Sequence, residues 1–237
     1  MTIKFPPPKQ LATALTAAVS IVGIILTSSL LSSAPEANAQ TSSQIQRGIE
    51  HALTTHGGNP TNVYDPFYDD PVPADQLDRP GKILREQPAP HLLNVLGPEF
   101  PGYARRILYT STDVHGRIVP VSGAIFEPAN PWRGEGPTPT VVFGPGTRGA
   151  GDACAPTRGP WMIGQFNPDL PALGTNYELV NFHAAILLGM RVVVTDLIGL
   201  GTPGPHTYVL HTEEGHAMLD AARAGTPKGD PVGFWGY

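Results

Sequence analysis

The sequence is short of cysteine and of charge, and each shortage excludes something. Cys154 is the only cysteine among 237 residues, so no disulfide closes within the chain. A small disulfide-stapled scaffold is therefore ruled out. Charged residues make up 15% of the chain, below the roughly 25% usual in soluble domains. The balance is acidic, with a net charge of −5, so no basic patch for nucleic acid is expected. Internal repeats are missing too, which excludes a solenoid or propeller. Glycine and proline are plentiful, 27 of each, so long ordered loops are expected. The length fits one large domain or two small ones.

Residues 1–39 read as an export signal. Lys4 and Lys9 form a short basic start, and an uncharged stretch follows over 11–31, densest from Ile21 to Leu26. Ala37-Asn38-Ala39 is an A-x-A cleavage site, predicting a mature protein that begins at Gln40. A secreted protein with no stable membrane insertion after cleavage is expected. The rival is an uncleaved anchor, since 11–31 is long enough to cross a bilayer, although Thr13, Thr16, Ser20 and Thr27 dilute it.

Residues 40–103 read as a proline-rich arm. Ile45, Ile49 and Leu53 recur at helical spacing within 42–55, and Gly57 is placed to stop that helix. Pro66, Pro71, Pro73, Pro80, Pro88, Pro90, Pro98 and Pro101 follow. Proline fixes φ and removes a backbone donor, which argues against sheet interior. Tyr64, Phe67, Tyr68, Ile83 and Leu84 give the arm apolar surface to wrap over a main domain.

The periodicity changes at residue 104. Segments 104–112 and 117–127 read as strands joined by the turn Asp113-Val114-His115-Gly116. Pro120 places the second strand at a sheet edge. Thr140-Val141-Val142-Phe143 and Arg191-Val192-Val193-Val194-Thr195 are apolar runs of the kind buried on both faces in parallel sheets. Helices are predicted over 176–188, stopped by Gly189, and over 212–224, with Thr212 as N-cap and Gly225 as stop. A last strand covers 231–235. Hairpin, strand, helix, strand, helix, strand gives an α/β sheet with an antiparallel edge over residues 104–237.

The chemistry is concentrated in two places. The chain closes on Gly236-Tyr237 directly after an apolar strand, the way Gly-x-Ser-x-Gly begins a nucleophile elbow. The serine would follow Tyr237. The glycine-rich loop Gly144-Pro145-Gly146-Thr147-Arg148-Gly149 follows the third strand, where such a hydrolase keeps one oxyanion donor. Thr147 and Arg148 are the candidate backbone donors. A plain turn requiring φ > 0 is the alternative reading of that loop. Asp196 precedes the elbow, whereas the triad acid follows it. Its expected role is structural, holding the turn of Gly199 to Gly204. No histidine follows the elbow, and His211 and His216, five apart, do not stack as metal ligands would. Gly199, Gly201 and Gly204 do not form a dinucleotide loop, because Pro203 and Pro205 intervene. No cofactor or metal is expected.

These stretches resemble the secretory lipase family of α/β-hydrolases. The resemblance runs through Ile107 to Asp113, Val121-Ser122-Gly123, Pro145 to Gly149, Asp152 to Thr157, Val193 to Thr202, Glu214 to Asp220 and Gly233 to Tyr237. It implies the first part of an α/β-hydrolase fold, truncated at the elbow. It also implies serine hydrolysis of triacylglycerol or related lipid esters, with Thr147 or Arg148 at the oxyanion and a Gly-Tyr-Ser-x-Gly elbow. The acid, the histidine, the lid and a cysteine partner for Cys154 would lie in a second part. The chain ending at Tyr237 is accordingly expected to hydrolyse no ester. Two other readings stay open: a non-catalytic envelope protein derived from such a hydrolase, and an acyltransferase on the same fold.

Overall fold

The structure, a computed structural model, describes residues 64–89, 91, 100–147, 149–158, 164–165, 174–175 and 178–236. The export signal and its cleavage site, the helix expected over 42–55, Arg148 and Tyr237 lie outside the described residues.

One six-stranded sheet organises the chain, in the order β1-β2-β3-β7-β4-β8. β1 (Ile83–Ala89), β2 (Gly102–Thr112) and β3 (Ile118–Pro128) are antiparallel neighbours. β7 (Arg191–Thr195) pairs antiparallel with β3 and parallel with β4 (Thr140–Phe143). β8 (Val232–Trp235) runs parallel to β4 on its other side. A two-stranded pair, β5 (Gly164–Gln165) and β6 (Gly174–Thr175), stands apart from this sheet. Among the described residues three α-helices accompany them: α1 (Pro66–Asp69), α2 (Leu179–Leu187) and α3 (His211–Gly225). None of the described helices is long and apolar enough to cross a membrane.

The β7 sequence shows why the sheet carries a helix on each face. Successive side chains of a strand point to opposite faces. Val192 and Val194 pack with Phe126, Phe143, Phe182 and Ile186 on the α2 side. Val193 packs with Ile107, Tyr109, Ile125, Val142 and Ala221 on the α3 side. All three valines are buried, so an unbroken β-branched run is what this position requires. α2 stops in a Schellman motif: Gly189 sits at φ +83, Gly189 N donates to Ile186 O at 2.9 Å and Met190 N to Ala185 O at 3.0 Å.

The hairpin forms as expected. Asp113 shapes its turn, accepting the His115 and Arg117 N–H groups at 2.9 Å each, and Gly116 sits at φ +74.

Three local expectations change. β3 is not an edge strand, because β2 and β7 flank it. Within β3, the register with β7 covers Gly123 to Phe126, so Pro120 lies on the part of β3 that runs past it, where no donor is needed on that side. Thr212 is not the N-cap of α3: the helix begins at His211 and its cap position, Leu210, makes no side-chain bond. Glutamates of the first turn bond groups outside the helix instead. Glu214 accepts the Val209 N–H at 3.1 Å, and Glu213 accepts the Val114 N–H at 2.8 Å. Within the span read as an arm, Ile83–Ala89 forms β1, with Pro88 opposite Arg105. A proline is tolerated there because β1 is the outer strand.

Candidate active site

The carboxyl ends of β4, β7 and β8 face the same way, because the three strands are parallel. Ligands of open α/β sheets bind beyond those ends. A cavity of about 440 Å³ lies there, lined by Gly144, Pro145, Gly146 and Thr147 after β4, by Leu197 and Leu200 after β7, and by Gly236 after β8. His206, Tyr208, Val209, His211, Glu214 and Met218 close its other side. The glycine-rich loop and the residue expected to open the elbow are thus walls of one cavity.

Two hydrogen bonds to side chains help fix the loop after β4. Gly146 donates its N–H to the Glu178 carboxylate at 2.7 Å, and Glu178 is buried at the start of α2. The Thr147 hydroxyl meets the Tyr208 hydroxyl at 3.1 Å. Gly144 is pressed against α3, where an added Cβ would come within 2.9 Å of Met218 Sδ.

Two of the lining residues sit in the left-handed region, Leu197 at φ 71 and Val209 at φ 64. For a β-branched residue such as Val209 this conformation is an outlier. The N–H bond to Glu214 holds it, and strain of this kind clusters at functional sites. The loop also folds back on itself: a Cβ on Gly199, at φ +74, would sit 2.4 Å from Pro205 O.

Asp196 is fully buried, and its hydrogen-bond partners are not those expected. It does not bond the turn of Gly199 to Gly204. Its carboxylate accepts Ser122 Oγ at 2.7 Å and the Thr157 N–H at 2.9 Å, and also the Thr157 hydroxyl. Ser122 Oγ reaches the turn in its place, at 3.2 Å from Leu200 O. Burial pushes the Asp196 carboxyl up to about 6, with the Thr157 and Ser122 hydrogen bonds opposing it. The Tyr68 hydroxyl lies 2.9 Å from Thr157 Oγ1, so α1 is stitched to the same buried group.

Cys154 is a free thiol, partly buried, whose Sγ lies under the glycine-rich loop. An added Cβ on Gly149 would approach it to 2.7 Å. Glu178 is the site residue that sequence reasoning missed. Its glutamate marks only a helix start, and its bond crosses to a residue 32 positions earlier.

No family model matches the chain, and no curated protein matches it. A solved structure of Candida antarctica lipase A matches with a TM-score of 0.56 at 22% identity, covering 76% of this chain and 39% of that one. The same lipase in its closed state gives a TM-score of 0.55 at 20% identity, with 76% and 39% covered. This chain has an α/β-hydrolase fold. A ligand-bound form of the rice cell wall degrading esterase LipA from Xanthomonas oryzae gives 0.47 at 21% identity, covering 68% of this chain and 43% of that one. The chain therefore spans about two fifths of the length of the lipase it matches. In an α/β-hydrolase one oxyanion donor comes from the loop between the third strand and the following helix, and the elbow ends a later strand. Counted from the β2–β3 hairpin, β4 is the third strand, and Gly144 to Thr147 follow it directly.

Proposed function

We propose that this chain builds the oxyanion loop and the approach to the nucleophile elbow of a secreted serine ester hydrolase. Its substrates are triacylglycerols or related lipid esters. The cavity that Gly144 to Thr147 share with Gly236 is the observation that supports the reading. On this reading the serine follows Tyr237, and the acid and histidine come later in the polypeptide. Histidine, oriented by the acid, takes the serine proton as Oγ attacks the ester carbonyl. The Thr147 or Arg148 N–H and the N–H after the serine then receive the oxyanion. Leu197, Leu200, Val209 and Met218 offer apolar wall to an acyl chain. Cys154 pairs with a cysteine beyond Tyr237, which the oxidising environment of an exported protein permits.

Tributyrin hydrolysis by secreted protein that continues past Tyr237 tests the reading. Replacing the serine after Tyr237 by alanine abolishes it if the reading holds. A coding sequence without Ser-x-Gly at that point favours the non-catalytic alternative.

A further inference from the structure

We infer that Glu178 is a positioning residue that sets the oxyanion loop. The inference rests on the ester-hydrolase reading of the cavity. An oxyanion donor helps only when its N–H is already aimed at the place where charge develops. A loop of Gly144, Pro145 and Gly146 has little intrinsic reason to hold one orientation, since glycine is the most permissive residue. Glu178 supplies that reason. Its Oε1 accepts the Gly146 N–H at 2.7 Å from a buried position at the start of α2. Two consequences follow. Gly146 N–H points at the carboxylate and is spent, so it is not an oxyanion donor. The next peptide N–H, that of Thr147, is then the first one free to face the cavity. On the other side of that peptide, the Thr147 hydroxyl meets Tyr208 at 3.1 Å. Thr147 is therefore held from both sides, through its preceding peptide by α2 and through its side chain by the loop before α3.

The test uses enzyme that carries the elbow serine, with sites counted by a fluorophosphonate. Glu178→Ala removes the acceptor and lowers kcat per titrated site on p-nitrophenyl butyrate by about 10–100-fold, the scale of a displaced catalytic group. KM stays unchanged, as for an interaction made only in the transition state. Glu178→Gln keeps an acceptor oxygen and retains near-normal kcat. Hydrogen exchange at the Gly146 amide is slow in wild type and Glu178→Gln and fast in Glu178→Ala. If Glu178→Ala does not fold, Glu178→Asp, which draws the acceptor back by one methylene, carries the same expectation. An unchanged kcat per site in the shortened or truncated variant overturns the inference alone, as does a Gln variant that falls as far as Ala. Wild-type protein that takes no phosphonate and turns over no ester overturns the hydrolase reading and this inference with it.

Discussion

Gly144 donates its backbone N–H to the Trp235 carbonyl at 2.8 Å. That bond extends the parallel pairing in which Phe143 is the register partner of Trp235. It ties the first residue of the glycine-rich loop to the last residue of β8. Gly236, the next residue, lines the same cavity as Gly146 and Thr147. The proposed oxyanion donor and nucleophile need this proximity, and two adjacent parallel strands provide it.

The close approach of α3 to the sheet predicts the cost of one methyl group. A Cβ on Gly225 would lie 2.5 Å from Val193 Cγ2 and 3.3 Å from Ile125 Cδ1, both in fully buried side chains. Overpacking of this kind costs about 1–3 kcal/mol. The helix gains at most about 1 kcal/mol from alanine in place of glycine, and less at its last residue. Gly225→Ala is therefore expected to lower Tm in thermal unfolding. An equal or higher Tm would show that α3 does not press on β7.

Asp196 predicts a pH dependence of unusual sign. Its carboxyl is held near 6 in the folded protein against 3.8 ordinarily. Between those values the native state keeps a proton that the unfolded chain has released, so this contribution to stability falls as pH rises. It is fully present below about pH 4 and lost by about pH 6, and two pKa units correspond to roughly 3 kcal/mol. His91, whose pKa burial holds below the usual 6.5, acts in the opposite sense, because stability is lost as the unfolded ring takes up a proton below that value. Subtracting the denaturation curves of Asp196→Asn removes the histidine contribution. The difference between wild type and variant should shift across pH 4–6, and a flat difference contradicts the assignment.

Export makes its own prediction. N-terminal sequencing of secreted material should begin at Gln40. Recovery of protein in the membrane fraction with Met1 still attached would favour an anchor over residues 11–31.

Much of the sheet is legible in the sequence because its signals are local. Asp113 to Gly116 mark a turn, and the valine runs of β4 and β7 mark buried parallel strands. The features that escape are made by distant partners. Pro88 and Pro90 disguise β1, which is a strand only because β2 lends it an edge. Pro120 looks like an edge marker, yet it only shows where β7 stops pairing. Asp196 does not bond the turn expected of it, and Ser122 and Thr157, its partners, leave no periodic trace. That Thr147 follows the third strand could be read from strand order alone. Glu178 could not, because nothing at position 178 announces a bond to Gly146.

The central claim is that the nucleophile follows Tyr237 in a serine ester hydrolase. Labelling secreted protein that continues past Tyr237 with a fluorophosphonate, and mapping the adduct by mass spectrometry, tests it most directly. The account predicts one adduct, on the serine next to Tyr237. It also predicts that the polypeptide ending at Tyr237 takes no label and hydrolyses p-nitrophenyl butyrate no faster than a denatured control. An adduct elsewhere, or saturable phosphonate-sensitive hydrolysis by the chain ending at Tyr237, would contradict it.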